Sequence, residues 1–175
     1  MTSLNKIQFL VICYILFAGC TSLNYQKTVD HVDLPKYMGT WYVWAGRTTS
    51  FEKGAFAAIE KYTWNNAENR VDVDFTFHKD SFEGPLKSIP QKAFIDDTKT
   101  NAHWLIQPFW PLKFDYLIID IDTDYQWVVV GVPSGDYIWI MGRTPKVEES
   151  QLSAIIERVK KLDYPVKDIE RVPQR

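Results

Sequence analysis

Val71-Asp72-Val73-Asp74-Phe75-Thr76-Phe77-His78 alternates apolar and polar side chains without a break. A β-strand sends successive side chains to opposite faces, so Val71, Val73, Phe75 and Phe77 share one buried face. Asp72, Asp74, Thr76 and His78 share the other and suit water. Working outward, segments of the same kind recur at 41–48, 57–64, 91–95, 103–107, 116–120, 126–132 and 137–143. The breaks at 65–69, 96–101, 122–124 and 133–136 are short and rich in Asn, Asp, Ser and Gly. Such short connections join antiparallel neighbours, because a parallel crossover needs a dozen residues or more. Sequential antiparallel strands escape exposed edges by closing on themselves. The expected fold is therefore all-β: an eight-stranded antiparallel up-and-down β-barrel.

One helix is expected after the last strand. Leu152, Ile155, Ile156, Val159 and Leu162 fall on one helical stripe, with Glu157, Arg158, Lys160 and Lys161 facing away. Thr144-Pro145 reads as its cap followed by Pro at the first helical position. Such a helix packs its stripe on the barrel wall.

Composition narrows the classes. The chain has 175 residues, 20 Lys+Arg against 22 Asp+Glu, and 15% aromatic residues including seven Trp. Disordered chains have few aromatics and a large net charge. A nucleic-acid partner would require a positive stripe, and none is evident. Two cysteines make neither a disulfide scaffold nor a four-ligand zinc site. Neither a metal nor another cofactor is expected.

The N-terminus reads as an address. Residues 7–17 (IQFLVICYILF) form an apolar run preceded by Lys6 and followed by Ala18-Gly19-Cys20. The run is too short to span a bilayer and has the layout of a secretory signal. Cys20 after Ala-Gly resembles the lipidated cysteine of bacterial lipoproteins, and Thr21 after it is similar to those destined for the outer membrane. The expected organisation is a signal over 1–19, a lipidated tether over 20–28 and a barrel domain over 29–175. Removing 1–19 takes away Cys13 and leaves Cys20, the lipid anchor to the membrane, as the sole cysteine.

Three motifs stand in order along the strands. Gly39-Thr40-Trp41-Tyr42 opens the first strand, Thr123-Asp124-Tyr125 lies between the sixth and seventh, and Arg143 ends the eighth. Together they resemble the signature regions of the lipocalins. The stretches Tyr37-Met38-Gly39-Thr40-Trp41-Tyr42, Phe51-Glu52-Lys53-Gly54 and Asp136-Tyr137-Ile138-Trp139-Ile140 are similar to the bacterial lipocalin (Blc) group of outer-membrane lipoproteins. The likeness runs over about residues 29–172. Physically, Gly39 permits a tight entry into the strand. Trp41 would plug the closed end, with Arg143 over its indole. Thr123 and Asp124 would bond backbone N–H groups in their turn.

Alternation gives the inward set. From Trp41 follow Val43 and Ala45. The next strands contribute Ala58, Glu60 and Tyr62, then Val73, Phe75 and Phe77, then Ala93. Trp104 and Ile106, Tyr116 and Ile118, Val129, and finally Tyr137 and Trp139 complete it. The alanines leave volume unfilled, and the aromatics line it. Glu60 is a carboxylate in an apolar set, which is costly unless paired or neutral. It reads either as a polar anchor for a ligand head group or as a residue one register step from facing outward. The loops around Phe82, Pro85 and Leu86, and around Phe109-Trp110-Pro111-Leu112, would lie at the mouth.

An apolar cavity suits a long apolar ligand. The resemblance implies a fatty acid or lysophospholipid in the barrel and a role in envelope maintenance under stress, at the periplasmic face of the outer membrane. The alternatives are another small hydrophobic ligand, a pigment such as haem, or a lipid-converting enzyme. Haem usually takes an inward His or Cys. His31, His78 and His103 are scattered, no catalytic constellation is evident, and the expectation is a non-enzyme. A transmembrane barrel would reverse the polarity of 71–78. The sequence leaves monomer and homodimer open.

Overall fold

The strand at 71–78 sits in a nine-stranded antiparallel sheet that closes on itself. The computed structural model describes residues 24–175. The signal over 1–19 and Cys20 lie outside the described residues. A short helix α1 (Leu34–Tyr37) precedes β1 (Gly39–Arg47), β2 (Ala55–Asn65), β3 (Arg70–Lys79) and β4 (Leu86–Ile95). Then come β5 (His103–Phe109), β6 (Leu112–Ile121), β7 (Trp127–Gly131), β8 (Ile138–Gly142), α2 (Glu149–Lys161) and the two-residue β9 (Glu170–Arg171). Neighbours in sequence pair from β2 to β8, and β1 pairs with both β8 and β2, so the barrel has no open edge. Beyond the expected eight strands, β9 adds to the second half of β1, where Ala45 and Gly46 face Arg171 and Glu170.

Two apolar layers flank the wall. The inner layer includes Trp41, Val43, Val73, Phe75, Trp104, Ile118 and Met141. The outer layer lies between wall and helix, and joins Trp44, Leu117, Val129, Ile138 and Ile140 to Leu152, Ile155 and Val159 of α2. The stripe on α2 thus packs as its periodicity requires. The helix begins at Glu149, with Glu148 as N-cap, and not at Thr144-Pro145. Thr144 is held otherwise: its carbonyl accepts the Trp44 indole N–H at 2.7 Å, and its hydroxyl donates to the Lys146 carbonyl. Arg158 clamps the helix to β6, donating twice to the Asp120 carboxylate at 2.9 Å. At the chain start, Tyr25 is buried and meets Tyr164 edge-on at 4.8 Å, so the stretch read as a tether is docked from there onward.

The register slips at four places, and two of them bear on the wall that α2 covers. The β1–β8 register slips between Val43 and Ala45, and the β6–β7 register between Ile118 and Asp120. The first puts Trp44 and Ala45 together in the outer layer. Ala45, expected inside, therefore faces α2. Val129, also expected inside, is outside too: Val128 and Val130 take the inner positions of β7.

Trp44 shows how closely the outer layer is packed. A Cβ on Gly142 would lie 1.7 Å from its ring. Gly142→Ala is expected to cost about 1–3 kcal/mol through overpacking, and an unchanged urea midpoint would refute it.

Candidate functional site: the barrel cavity

The closed end is built from the first motif and the last. Gly39 holds a φ of +100°, which lets the chain leave α1 and enter β1 at once. Trp41 is fully buried, and its indole N–H donates to the Tyr37 carbonyl at 2.8 Å. The Arg143 guanidinium lies 3.6 Å from the Trp41 ring centroid. It donates to the carbonyls of Thr40, Lys36, Tyr37 and Tyr125, which ties β1, α1 and the β6–β7 turn together. Tyr125 adds its hydroxyl, which accepts the Asp33 N–H at 2.7 Å. The turn itself is not held by the side chains of Thr123 and Asp124. Asp122 does that work, accepting from the N–H groups of Asp124 and Gln126 at 3.1 Å. The Asx turn starts one residue earlier than the motif suggests.

Above this plug lies a cavity of about 700 Å³, open at the other end. Of the residues read as inward, Glu60, Val73, Phe75, Ile106, Tyr116, Tyr137 and Trp139 line it. Val43, Ala58, Tyr62, Phe77, Ala93, Trp104 and Ile118 also belong to the inner layer, where they pack beneath and around the cavity. Trp104 stacks on Tyr116 with ring centroids 5.5 Å apart, and its N–H donates to the Asn101 carbonyl. Ala45 and Val129 take no part.

Glu60 is a carboxylate inside the barrel, which points inward and is 8% exposed. The register of β2 on β1, with Glu60 opposite Trp41, removes the one-residue alternative. The Tyr62 hydroxyl donates to Glu60 Oε2. The Tyr62 and Tyr116 hydroxyls are 2.7 Å apart, as are those of Tyr116 and Tyr37. A phenol has one proton to give. With Tyr62 donating to the carboxylate, Tyr116 must donate to Tyr62 and Tyr37 to Tyr116. Three tyrosines from α1, β2 and β6 thus form a directed chain ending on one carboxylate. Burial pushes the Glu60 carboxyl up to about 7, against the Tyr62 hydrogen bond that lowers it, and Glu52 adds a smaller upward push. Burial likewise raises the phenols of Tyr37, Tyr62 and Tyr116.

Glu52 is a second buried carboxylate, placed on a single 3-10 turn (Ser50–Glu52) between β1 and β2. Its Oε1 accepts from the Thr49 N–H and hydroxyl, and its Oε2 accepts the Trp139 indole N–H at 2.9 Å. Burial raises this carboxyl too, against the lowering effect of those three bonds. Alternation missed Glu52 because it lies on no strand. Thr49-Ser50-Phe51-Glu52 has the spacing of a capping box, which is the signal that finds it. Ile89, Pro108, Phe109 and Phe114 were also outside the inward set and line the upper cavity. The segment 108–112, read as a loop, is mostly strand: β5 and β6 run on past it to a tight hairpin, bringing those rings to the mouth.

The arrangement is an apolar chamber with hydrogen-bond acceptors at its depth. His78 bonds the Gly84 carbonyl and His103 faces Asp115 and Asp96, so neither lines the chamber. Among the described residues no group of His, Cys, Asp and Glu could hold a metal ion.

Comparisons with known proteins agree with this geometry. Residues 32–174 match the family model of the Lipocalin-like domain. The outer membrane lipoprotein Blc of Vibrio cholerae serotype O1 is 27% identical over 169 residues, covering 95% of this chain and 98% of that protein. Temperature-induced lipocalin-1 of Arabidopsis thaliana is 27% identical over 160 residues, covering 88% and 86%. The outer membrane lipoprotein Blc of Escherichia coli K12 is 27% identical over 121 residues, covering 69% and 67%. Among solved structures, insecticyanin from the tobacco hornworm Manduca sexta superposes with a TM-score of 0.66 at 13% identity, covering 86% of this chain and 85% of that one. The cockroach allergen Per a 4 gives 0.64 at 19% identity, covering 88% and 96%. At those identities the structures share the fold.

Proposed function

The chain belongs to the lipocalin-like family, whose barrels bind small hydrophobic ligands, and from that premise we propose that it carries a fatty acid or lysophospholipid in the outer-membrane environment. The observation that carries this reading is the cavity: about 700 Å³, apolar along its walls and open at one end. That size and lining suit one long acyl chain. Each buried CH2 contributes about 0.8 kcal/mol before association costs are subtracted. Lipid anchoring at Cys20, on the periplasmic side of the outer membrane, and a role in envelope maintenance complete the proposal. Its relatives in Vibrio cholerae and Escherichia coli are outer membrane lipoproteins, which supports an anchor and an outer-membrane location.

Glu60 is the proposed polar anchor. Tyr62 occupies Oε2, and Glu60 lines the cavity, where its Oε1 would be open to a ligand. That oxygen suits a donor on the ligand, such as the free glycerol hydroxyl of a lysophospholipid. Native mass spectrometry of the whole protein, gently extracted with detergent, tests the reading. A co-purifying fatty acid or lysolipid is expected, and haem or another pigment in its place overturns it. Glu60→Ala is expected to weaken lysophospholipid binding about tenfold, the scale of one hydrogen bond to a charged group. Unchanged affinity would remove Glu60 from the site.

A further inference from the structure

Among the described residues, the large apolar side chains left exposed gather at one end of the barrel. Phe51, Phe109 and Phe114 are 72%, 52% and 51% exposed while also lining the cavity mouth. Trp110, at 85%, and Leu112, at 48%, form the tip of the β5–β6 hairpin between them. Leu86, at 64%, heads β4 at the same end. The opposite end is different in kind. Its turns at 65–69, 96–101 and 122–124 are polar and carry none of these exposed large apolar side chains. A monomer gains nothing from keeping such a rim in water, and a patch of this type marks a contact surface.

The chain's path says what covers it. The Tyr25 N–H donates to the Pro133 carbonyl at 2.8 Å, and Pro133 lines the mouth. From there the segment runs down the barrel, where the Val29 N–H meets the Ile118 carbonyl and the Val32 N–H the Thr100 carbonyl near the closed end. The described chain therefore begins at the rim. Cys20 lies five residues before Tyr25, a reach of at most about 17 Å when extended. A lipid on Cys20 would enter its bilayer beside the mouth.

Charge agrees. Lys53, Lys87 and Lys113 are exposed around the same end. Of the nearby acids, Asp80 pairs with Lys79 and Glu83 with Arg175, Asp115 faces the His103 ring, and Asp136 in the β7–β8 turn is exposed. These lysines, which make no ion pair among the described residues, suit anionic phospholipid head groups.

We propose that the rim is a bilayer-docking surface: the barrel stands mouth-down, with Trp110 and its neighbours among the head groups and the cavity opening onto the lipid. Trp at the interface is the residue type expected there. A second copy of the chain, mouth to mouth, is the competing occupant. It would turn both chain exits away from a common bilayer plane.

The test uses the whole lipidated protein reconstituted into phosphatidylethanolamine–phosphatidylglycerol vesicles whose acyl chains carry bromine, a contact quencher of tryptophan. Quenching is expected, and Trp110→Ala is expected to remove about half of it or more, because Trp110 is the most exposed of the rim rings. Circular dichroism checks that the variant, altered at an exposed site, keeps its fold. No quenching, or equal quenching in Trp110→Ala, overturns the proposal. So does a dimer in sedimentation that Trp110→Ala dissociates, since the rim would then belong to a second copy.

Discussion

Trp41→Ala is expected to lower the unfolding free energy by about 3–5 kcal/mol, the range for truncating a large buried aromatic. Three losses combine. The indole is fully buried, so its removal opens a cavity in the barrel floor. The Tyr37 carbonyl loses the indole N–H it accepts at 2.8 Å. Arg143 loses the ring 3.6 Å beneath its guanidinium, although its hydrogen bonds to backbone carbonyls of three segments remain. Trp41→Phe restores a ring under the guanidinium and most of the buried area, so its cost is expected to be about 1–2 kcal/mol. Urea denaturation of both variants checks the ordering. If Trp41→Ala fell within about 1 kcal/mol of wild type, the floor would owe its stability to Arg143 and Tyr37 alone.

What the sequence made legible follows from which strands have one wet face. β3 is packed inside and solvated outside, so Asp72 and Asp74 mark its register without ambiguity. β7 has no wet face: Val128, Val129 and Val130 are all fully buried, because α2 covers the outer wall. Alternation disappears from such a strand, which is why Val129, expected inside, faces α2 instead. Ala45 failed for another reason. A bulge after Val43 breaks the period of two, and the residue nearby of a type that marks such breaks is Gly46, two places beyond Trp44. The closed end was legible because its motif residues act through contacts close to a strand terminus. The tyrosine chain on Glu60 was not, since its members come from α1, β2 and β6 and meet only when three registers are known.

Glu60 also gives the second large effect, a stability that depends on pH through one buried carboxyl. In the unfolded chain this group titrates near 4.5, and in the folded barrel at about 7. Between those values the folded protein holds a proton that the unfolded chain has released. Stability is therefore expected to fall as pH rises from 4.5 to 7, by about 3 kcal/mol in all, and to level off above that. Glu60→Gln keeps the shape and an oxygen for the Tyr62 hydroxyl but has no proton to lose. It is expected to match wild type near pH 4.5 and to exceed it by about 3 kcal/mol at pH 8. Urea titrations at the two pH values separate the cases, and parallel profiles would remove Glu60 as the cause. The other ionisable groups set toward it are Tyr62 on its own strand, Tyr116 on β6, Tyr37 on α1 and Glu52 on the 3-10 turn. The phenols stay protonated across this range. Glu52 is shifted in the same direction, so some slope survives in Glu60→Gln. The same carboxyl links stability to cargo. An acyl chain that fills the cavity removes more water from Glu60 and favours its neutral form further. Binding of an acyl ester without a hydroxyl, which offers Glu60 no donor, should then take up a proton and tighten as pH falls toward 7, levelling off below it, whereas a ligand that donates to Oε1 should escape that dependence.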